Sequence, residues 1–286
     1  MKILITGIKG FIGSQIEQTF KKRSEIFGIS SDTEKNDYKK LIKKRIRPNI
    51  IFHCAGSGLV GINKITHSIH RKKNLDSTKN LIKFINKIKL KNSKIIFLSS
   101  QSVYGKVSGN KISESNPTVP ISSYGKTKLL AEKKIMKITN NSVIVLRLFS
   151  IYGIGLKKQI LWDACCKFKK KDTKFRGNGQ EKRDFLNIND LIKLIKKIIV
   201  SNGNNKNELY NVGSGAGIKI RNLLLKLKSI YKLDKKLFFL ENQKKSEHQD
   251  YISSNKKIIQ NFKWKISKNL YQELKQYVRW FKKNYE

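Results

Sequence analysis

The sequence has little cysteine and no long apolar run. Its three cysteines, Cys54, Cys165 and Cys166, are an odd number and lack the CxxC or Cys/His spacing of a zinc site. Neither a disulfide framework nor a metal site is predicted, and a reducing compartment is expected. No stretch reaches the ~18 apolar residues of a membrane-spanning helix, and glycines interrupt the amino-terminal apolar run too early for a signal peptide. These absences favour a cytoplasmic protein without a membrane partner.

Acidic residues are also scarce, since 20 Asp and Glu stand against 62 Lys and Arg in 286 residues, for a formal net charge of +42. Such an excess can mark a nucleic-acid or membrane partner. However, four segments divided at residues 72, 143 and 215 carry 15, 14, 15 and 18 basic residues, so there is no basic arm. Helix-turn-helix, zinc-finger and aromatic RNA-binding signatures are missing. The charge is interpreted as a composition bias, and nucleic acid is not the favoured partner.

Apolar runs in the first 150 residues predict buried β-strands. The runs are continuous rather than alternating, as in strands covered on both faces of a parallel sheet. The predicted strands are 2–6, 26–30, 49–54, 94–99 and 142–148. Helical patterns alternate with them at 11–22, 39–46, 64–90 and 121–139. The predicted fold class is α/β, with a Rossmann-like doubly wound parallel sheet.

The pattern changes beyond Gly153 to mixed, helix-rich segments. Helices are predicted at 158–170, 190–200, 219–231 and 268–283, with a short strand near 208–212. We expect residues 1–153 to form the Rossmann domain. Residues 154–286 are expected to form a smaller, mainly substrate-binding region, with some segments returning to the sheet. The loop 108–120 follows a predicted strand, and such loops usually carry the site.

The segment TGIKGFIG places Gly7, Gly10 and Gly13 directly after a strand and at the start of a helix. Glycines there permit a tight turn and let a pyrophosphate approach backbone N–H groups and the helix dipole. The alternative is a plain glycine-rich turn between strand and helix. The position of the turn favours a dinucleotide site.

The choice between NAD and NADP depends on the end of the second strand. An acidic residue there normally bonds the adenosine ribose, but the sequence has Ser30, followed by Ser31 and Asp32. The two serines, with Lys35 nearby, suit a 2′-phosphate, whereas Asp32 suits an unphosphorylated ribose if the turn is offset. An ordinary polar turn also fits, so both cofactors stay open.

The segment SSYGKTKLLAEK places Tyr124 and Lys128 on one face of a predicted helix. A neighbouring ammonium is expected to lower the pKa of Tyr124, which can then take a proton from a sugar hydroxyl. In a lysine-rich chain such a pair also arises by chance, and a serine at a strand end can be a simple cap. The order of the motifs favours catalysis, because the preceding strand end FLSSQSVYG supplies the hydroxyl of Ser100.

Together these motifs resemble the extended short-chain dehydrogenase/reductase family, in its NAD-dependent epimerase/dehydratase branch. The matching pieces span nearly the whole chain: TGIKGFIG, RPNIIFHCAG, SSQSVYG, YGKTK, LRLFSIYGIG and RDFLNINDL. The resemblance implies a Rossmann domain that binds NAD, or NADP, and a carboxyl-terminal portion that holds a nucleotide sugar. It also implies a homodimer formed through the helices at 64–90 and 121–139.

The resemblance implies roles for individual residues as well. Ser100, Tyr124 and Lys128 match the catalytic trio, and Ser100 also faces the substrate. Arg183 matches a position that contacts the substrate diphosphate, where a guanidinium fork suits phosphate; an ion pair with Asp184 is the alternative. Including Ser30 and Asp32, the cofactor set is Gly7, Gly10, Phe11, Ile12, Gly13, Ser30, Asp32, Cys54, Ala55, Gly56, Asn74, Tyr124 and Lys128. Further candidates for the nucleotide pocket are Lys158, Gln159 and Arg176.

Some positions depart from the family pattern. Gln101 and Ser102 stand where sugar 4,6-dehydratases carry acidic residues, so dehydration is disfavoured. Ser150 replaces a family Asn, and a second phosphate-binding Arg has no match, with Lys244 or Lys245 as its replacement.

The function implied by the resemblance is that of a nucleotide-sugar 4-epimerase. Tyr124 would remove the proton of the C4 hydroxyl as hydride passes to bound NAD, and the ketose would be reduced again on its other face. A 4-keto-sugar reductase that uses NADPH is the first alternative, because the acidic residue at position 30 is missing. A non-catalytic nucleotide- or RNA-binding protein on the same fold is the second, although it leaves the Ser/Tyr/Lys trio unexplained.

Overall fold

The computed structural model describes residues 1–57, 67–107, 111–201, 207–240, 250–267 and 269–286. Its strands are β1 (Lys2–Thr6), β2 (Glu25–Ile29), β3 (Ile50–His53), β4 (Lys94–Ser100), β5 (Ser142–Leu148), β6 (Ser150–Tyr152), β7 (Lys174–Arg176), β8 (Lys182–Asn187), β9 (Glu208–Val212), β10 (Gly217–Lys219) and β11 (Phe238–Leu240). Its α-helices are α1 (Phe11–Phe20), α2 (Glu34–Lys43), α3 (His67–His70), α4 (Ser77–Lys87), α5 (Ser123–Ile135), α6 (Gln159–Lys169), α7 (Ile188–Val200), α8 (Ile220–Tyr231), α9 (Lys256–Phe262) and α10 (Leu270–Tyr285). A π-helical stretch, Arg71–Asp76, joins α3 to α4.

A six-stranded parallel sheet in the order β2-β1-β3-β4-β5-β9 forms the centre of the molecule. The predicted α/β class with a Rossmann-like parallel sheet is therefore confirmed. The chain reverses its direction of winding between β1 and β3. In open α/β sheets, a ligand crevice lies outside the carboxyl ends of the strands at such a point.

The apolar strands form because both faces of the sheet are covered. On one face Ile3, Phe52 and Leu146 pack in a buried cluster with α1, α7 and α9. On the other face Leu4 and Ile51 pack in a second cluster with α2, α4 and α5. Continuous rather than alternating hydrophobicity follows, since every side chain of such a strand meets a covering layer.

Most predicted elements lie within one to four residues of the observed ones, but helix 39–46 is wrong at its start. Helix α2 begins five residues earlier, at Glu34, and ends at Lys43. Its first turn is polar, with Glu34 and Asp37 at the positive end of the helix dipole. Only Tyr38 and Leu41 are buried, so the apolar pattern begins late. Residues 64–66 of predicted helix 64–90 lie outside the described residues.

A second hydrophobic core lies beside the sheet and is built by α6, α8 and α10. Phe168, Leu223 and Tyr277 are buried in it. Two small sheets, β10-β8-β6 and β11-β7, adjoin this core, and β9 returns to the main sheet by pairing with β5. None of the helices in the described ranges is both long and apolar enough to cross a bilayer.

Candidate active site

A cleft of about 1090 Å³ opens at the carboxyl ends of β1, β3, β4 and β5. It brings together most of the residues predicted for the site. Those lining it are Gly7, Gly10, Phe11, Ile12, Gly13, Cys54, Gly56, Ser100, Tyr124, Lys128, Lys158, Gln159, Arg176 and Arg183. The predicted residues Ser30, Asp32, Ala55 and Asn74 are not among the lining residues. Lys244 and Lys245 lie outside the described part of the chain.

The glycine turn forms a cradle that has no room for a side chain. Gly7 has a φ of +69°, and a Cβ there would lie 2.8 Å from the backbone of Ala55. A Cβ on Gly13 would lie 2.3 Å from the carbonyl oxygen of Gly7. Helix α1 starts after Gly10 without a side-chain cap and with no acidic residue in its first turn. Its first N–H groups are thus available to an anionic ligand.

Ser30 and Asp32 follow β2 beside the glycine turn. Ser30 is buried, and its hydroxyl shares a hydrogen bond of 3.0 Å with Thr33. Asp32 is exposed, and its carboxylate lies 4.0 Å from the ammonium of Lys9. Because backbone hydrogen bonds tie Gly7 to Ile29, both residues stand next to the cradle.

Ser100 and Tyr124 meet at the bottom of the cleft. Ser100 ends β4 beside the phenol of Tyr124, and its hydroxyl donates to the hydroxyl of Ser102 at 3.2 Å. The Ser100 oxygen also accepts a bond of 3.2 Å from the backbone N–H of Ser102. Helix α5 is capped by Ser122, whose hydroxyl accepts from the N–H of Gly125 at 3.0 Å, and this cap fixes where Tyr124 enters the helix.

The expectation that Lys128 lowers the pKa of Tyr124 is wrong for the protein by itself. Burial raises that pKa above its ordinary value, and the neighbouring Ser100 hydroxyl offsets only part of the effect. The Lys128 ammonium instead donates a hydrogen bond to the carbonyl oxygen of Leu98 at 2.7 Å. It also lies 4.9 Å from the centre of the Phe97 ring.

Lys128 is a buried cation with a perturbed pKa. Burial lowers its pKa to about 8, against the opposing effects of Glu132 and Cys54. The Cys54 thiol is itself kept protonated, because burial raises its pKa to about 12. Cys54 therefore contributes a small apolar wall to the cleft.

Asn74 lies behind the cleft wall and connects two of its segments by hydrogen bonds. Its carbonyl oxygen accepts from the backbone N–H of Ser57 at 2.9 Å, and its amide donates to Thr127 at 3.0 Å. A Cβ on Gly56 would lie 2.9 Å from this carbonyl oxygen and 3.1 Å from the Lys128 nitrogen. Asn74 thus fixes the segment that follows β3, while its own buried side chain does not line the cleft.

Arg183 enters the cleft from the carboxyl-terminal part of the chain. It lies on β8, with its guanidinium 5.0 Å from the Tyr251 ring centre and donating to the carbonyl of Lys182 at 3.1 Å. The carboxylate of the neighbouring Asp184 accepts five hydrogen bonds from Ser214, Gly215 and Ser253. Burial lowers the pKa of Arg183 without removing its charge.

Three residues of the site were not predicted from the sequence. The side-chain oxygen of Gln101 is buried, with no hydrogen-bond partner among the described residues, in the cleft lining beside Ser100. Glu132 and Arg147 form a buried ion pair of 2.8 Å directly behind Lys128. Arg147 could have been recognised from the sequence, because a single charge in the apolar run SVIVLRL needs a buried partner.

Comparison with known proteins agrees with this geometry. The sequence model described as the NAD dependent epimerase/dehydratase family matches residues 3–213. A UDP-glucose epimerase of Bacillus subtilis, YtcB, described as uncharacterized, is 29% identical over 233 residues, covering 70% of this chain and 72% of the relative. The UDP-glucose 4-epimerase of Mycoplasma genitalium is 25% identical over 321 residues, covering 94% and 93% of the two chains.

Solved structures show the same fold. The UDP-glucose 4-epimerase of Thermotoga maritima with UDP-glucose superposes with a TM-score of 0.87 at 22% identity, covering 100% of both chains. The UDP-glucuronic acid 4-epimerase of Bacillus cereus, in complex with UDP-glucuronic acid and NAD, gives 0.85 at 23% identity, also over 100% of both chains.

Proposed function

Because the chain belongs to the NAD-dependent epimerase/dehydratase family, we propose that it is a nucleotide-sugar 4-epimerase that uses NAD. One observation carries the proposal: a single cleft gathers the glycine turn, the trio Ser100, Tyr124 and Lys128, and the guanidinium of Arg183. The relatives described as UDP-glucose and UDP-arabinose 4-epimerases support it.

The glycine cradle fits NAD. A pyrophosphate needs close approach to backbone N–H groups, and the absence of Cβ atoms at Gly7 and Gly13 provides that approach. The amino terminus of α1 supplies the favourable dipole. Lys128 and Tyr124, which line the same cleft, would hold the ribose of the bound cofactor. Bound NAD would supply a two-electron acceptor that also returns the hydride, so no net oxidation of the sugar results.

Tyr124 is proposed to move the proton. Its phenol oxygen takes the proton of the C4 hydroxyl when the sugar is oxidised and returns it when the 4-ketose is reduced. Burial raises the pKa of Tyr124 in the protein by itself. We propose that Lys128, four residues along α5, stabilises the phenolate once cofactor and substrate are bound. We propose that Ser100, at the end of β4 beside this phenol, helps to orient the reacting oxygen.

Arg183 is proposed to bind the diphosphate of the nucleotide sugar. Its planar guanidinium can form two hydrogen bonds to phosphate oxygens, and the stacking on Tyr251 holds it at the edge of the cleft. We also propose that residues 1–153 mainly bind the cofactor and that 154–286 mainly bind the substrate. Gln101 and Ser102 provide no carboxyl group for the removal of water, which favours epimerisation over dehydration.

Proton NMR of the anomeric region tests this function. Purified protein is incubated with UDP-glucose and with UDP-N-acetylglucosamine, with only trace NAD. The C4 epimer is expected to appear with one of them and to be absent with Tyr124→Phe. If neither sugar changes, while a nucleotide 4-keto sugar consumes NADPH stoichiometrically, the protein is a reductase and the proposal is wrong.

We further propose a homodimer formed by α4 and α5, and a cytoplasmic location. The two helices pack side by side on one face of the sheet. Leu130, on the outer side of α5, leaves 47% of its surface exposed. Sedimentation of the purified protein tests the dimer directly.

A further inference from the structure

Three consecutive residues of β4 contact three residues spaced by four on α5. The pairs are Leu98 with Lys128, Ser99 with Glu132, and Ser100 with Tyr124. Residues four apart lie on one face of a helix, so this face of α5 is fixed against the end of β4 along two turns. In the middle pair, Ser99 lines the cleft, whereas Glu132 does not and has no part in the function proposed above.

Glu132 is held from the next strand as well. The guanidinium of Arg147 donates through Nη2 to Oε2 of Glu132 at 2.8 Å and through Nε to Oε1 at 3.1 Å. Both residues are nearly fully buried, with 3% and 6% of their surfaces exposed. Arg147 pairs with Ser99 in the sheet register, and its guanidinium stacks 4.7 Å from the Tyr104 ring centre. The carboxylate therefore has a fixed position, in an ion pair with Arg147.

We propose that Glu132, oriented by Arg147, is a positioning residue that keeps the Lys128 ammonium charged and in place at the end of β4. The part of this proposal that concerns catalysis rests on the proposed function, through the role of Lys128. Its physical part does not rest on the proposed function, because it concerns only the Lys128 cation, the carboxylate four residues further along α5 and the strand that contacts both.

Among the titratable groups described around Lys128, Glu132 is the carboxylate that supports its charge, in addition to the Leu98 carbonyl and the Phe97 ring. From β3, His53 is neutral because burial lowers its pKa to about 3, and Cys54 stays protonated. Tyr124 is a neutral phenol. Burial alone favours the uncharged amine of Lys128, and the Glu132 carboxylate opposes that effect. Without Glu132 the ammonium would be lost at a lower pH.

A purely structural role for the pair makes a different prediction. If Glu132 and Arg147 only tie α5 to the sheet, removing either one loosens the packing and admits water around Lys128. The pKa of Lys128 would then rise toward its ordinary value with either substitution. An electrostatic role instead makes the two substitutions differ, because one removes a negative charge near Lys128 and the other a positive charge.

Competitive acetylation tests the proposal on the free protein. The rate at which Lys128 is acetylated is followed against pH by mass spectrometry of the peptide that contains it, with Lys126 as an exposed internal reference. The wild-type midpoint is expected at about 8. With Glu132→Gln it should fall by about one pH unit. With Arg147→Met the midpoint should stay or rise, and with Arg147→Lys, which keeps the positive charge, it should stay at the wild-type value.

The double variant Glu132→Gln/Arg147→Met guards against misfolding, since replacing a buried ion pair as a whole is better tolerated than removing one partner. Its midpoint should lie below that of the wild type and above that of Glu132→Gln. The proposal is overturned if the midpoint of Glu132→Gln or of the double variant is unchanged or raised. It is also overturned if the midpoint of Arg147→Met falls as far as that of Glu132→Gln. These results need no substrate, so they stand or fail independently of the epimerase activity.

Discussion

At the scale of single residues, removing the hydroxyl of Tyr124 tests catalysis separately from cofactor binding. Tyr124→Phe keeps the ring and removes only the oxygen that meets Ser100. Turnover is expected to fall by about 10²- to 10⁴-fold, the usual contribution of a general acid/base, while the thermal midpoint and NAD binding stay near wild type. Tyr271→Phe, an exposed tyrosine on α10, is the control. Equal loss in both variants would contradict the assigned role.

Gly13 is the residue at which a single methyl group closes the cofactor cradle. In Gly13→Ala the new Cβ would lie 2.3 Å from the Gly7 carbonyl oxygen, so the turn has to move. We expect a loss of about 1–3 kcal/mol in the free energy of unfolding and at least a tenfold weaker NAD affinity by calorimetry. Ser14→Ala, in which the side chain only donates to the Phe11 carbonyl, is the matched control. Wild-type NAD affinity in Gly13→Ala would refute the cradle.

The sequence predicted individual site residues where a motif sits on a strand end or a helix start. Ser100, Tyr124 and Gly13 are of this kind, and the structure brings them to one cleft. It could not predict that Asn74 bonds Ser57 and Thr127 outside the lining, or that Glu132 meets Arg147. Such contacts join residues far apart in the chain, and their partners depend on packing rather than on spacing.

At the scale of single elements, strand β3 carries a buried histidine that is neutral near pH 7. His53 lies between Thr6, 2.6 Å from Nδ1, and Thr78, 2.8 Å from Nε2. Since the Thr78 hydroxyl donates to the Asn74 carbonyl, Nε2 donates to Thr78 and Nδ1 accepts from Thr6. Both nitrogens are used, and the ring is neutral.

This histidine predicts a decline of stability in acid. Burial lowers the folded-state pKa of His53 to about 3, below the unfolded value of about 6.5. The unfolded chain therefore binds the extra proton first, so stability falls as pH drops from 6.5 toward 3 and is unaffected above 6.5. Between pH 7 and pH 4 the loss is about 3 kcal/mol.

Urea unfolding at several pH values measures this effect. His53→Gln should be less stable at pH 7 but should show a flatter decline toward pH 4. His67→Gln, on the exposed start of α3, should decline like the wild type. Parallel curves for wild type and His53→Gln would show that the neutral ring is not the cause.

Elements with a strong hydrophobic pattern were predicted well, and those without one were not. Strand 142–148 and strand 208–212 are observed with the predicted bounds; every residue of the first is buried, as are the last three of the second. The start of α2 was wrong because its first turn is polar. The short strands β7, β10 and β11 have three residues each, too few for a periodicity to appear.

At the scale of the whole molecule, the net charge of +42 is expected to oppose formation of the proposed dimer. The outer faces of α4 and α5, where we propose the dimer, carry exposed Lys83, Lys87, Lys133 and Lys134. Like charges would face each other across a two-fold axis, so salt should strengthen the dimer by screening them. The sedimentation dissociation constant should fall at least several-fold between 50 mM and 500 mM NaCl.

A charge-reversal variant checks that the effect belongs to this face. Lys83→Glu should dimerise more tightly than wild type at low salt, and Lys263→Glu, remote in sequence and after α9, should not. Weaker dimers at high salt, or equal effects of both variants, would argue for a different interface.

The fate of the hydrogen at C4 tests the epimerase account most directly. UDP-glucose, or the sugar nucleotide that the first NMR experiment identifies, is labelled with deuterium at C4 and incubated with the protein without free cofactor. If the hydride leaves C4 and returns from the same bound NAD, the C4 epimer keeps the deuterium at C4. Exchange of the label with solvent, or conversion only when added NADPH is consumed in equal amount, would contradict the account.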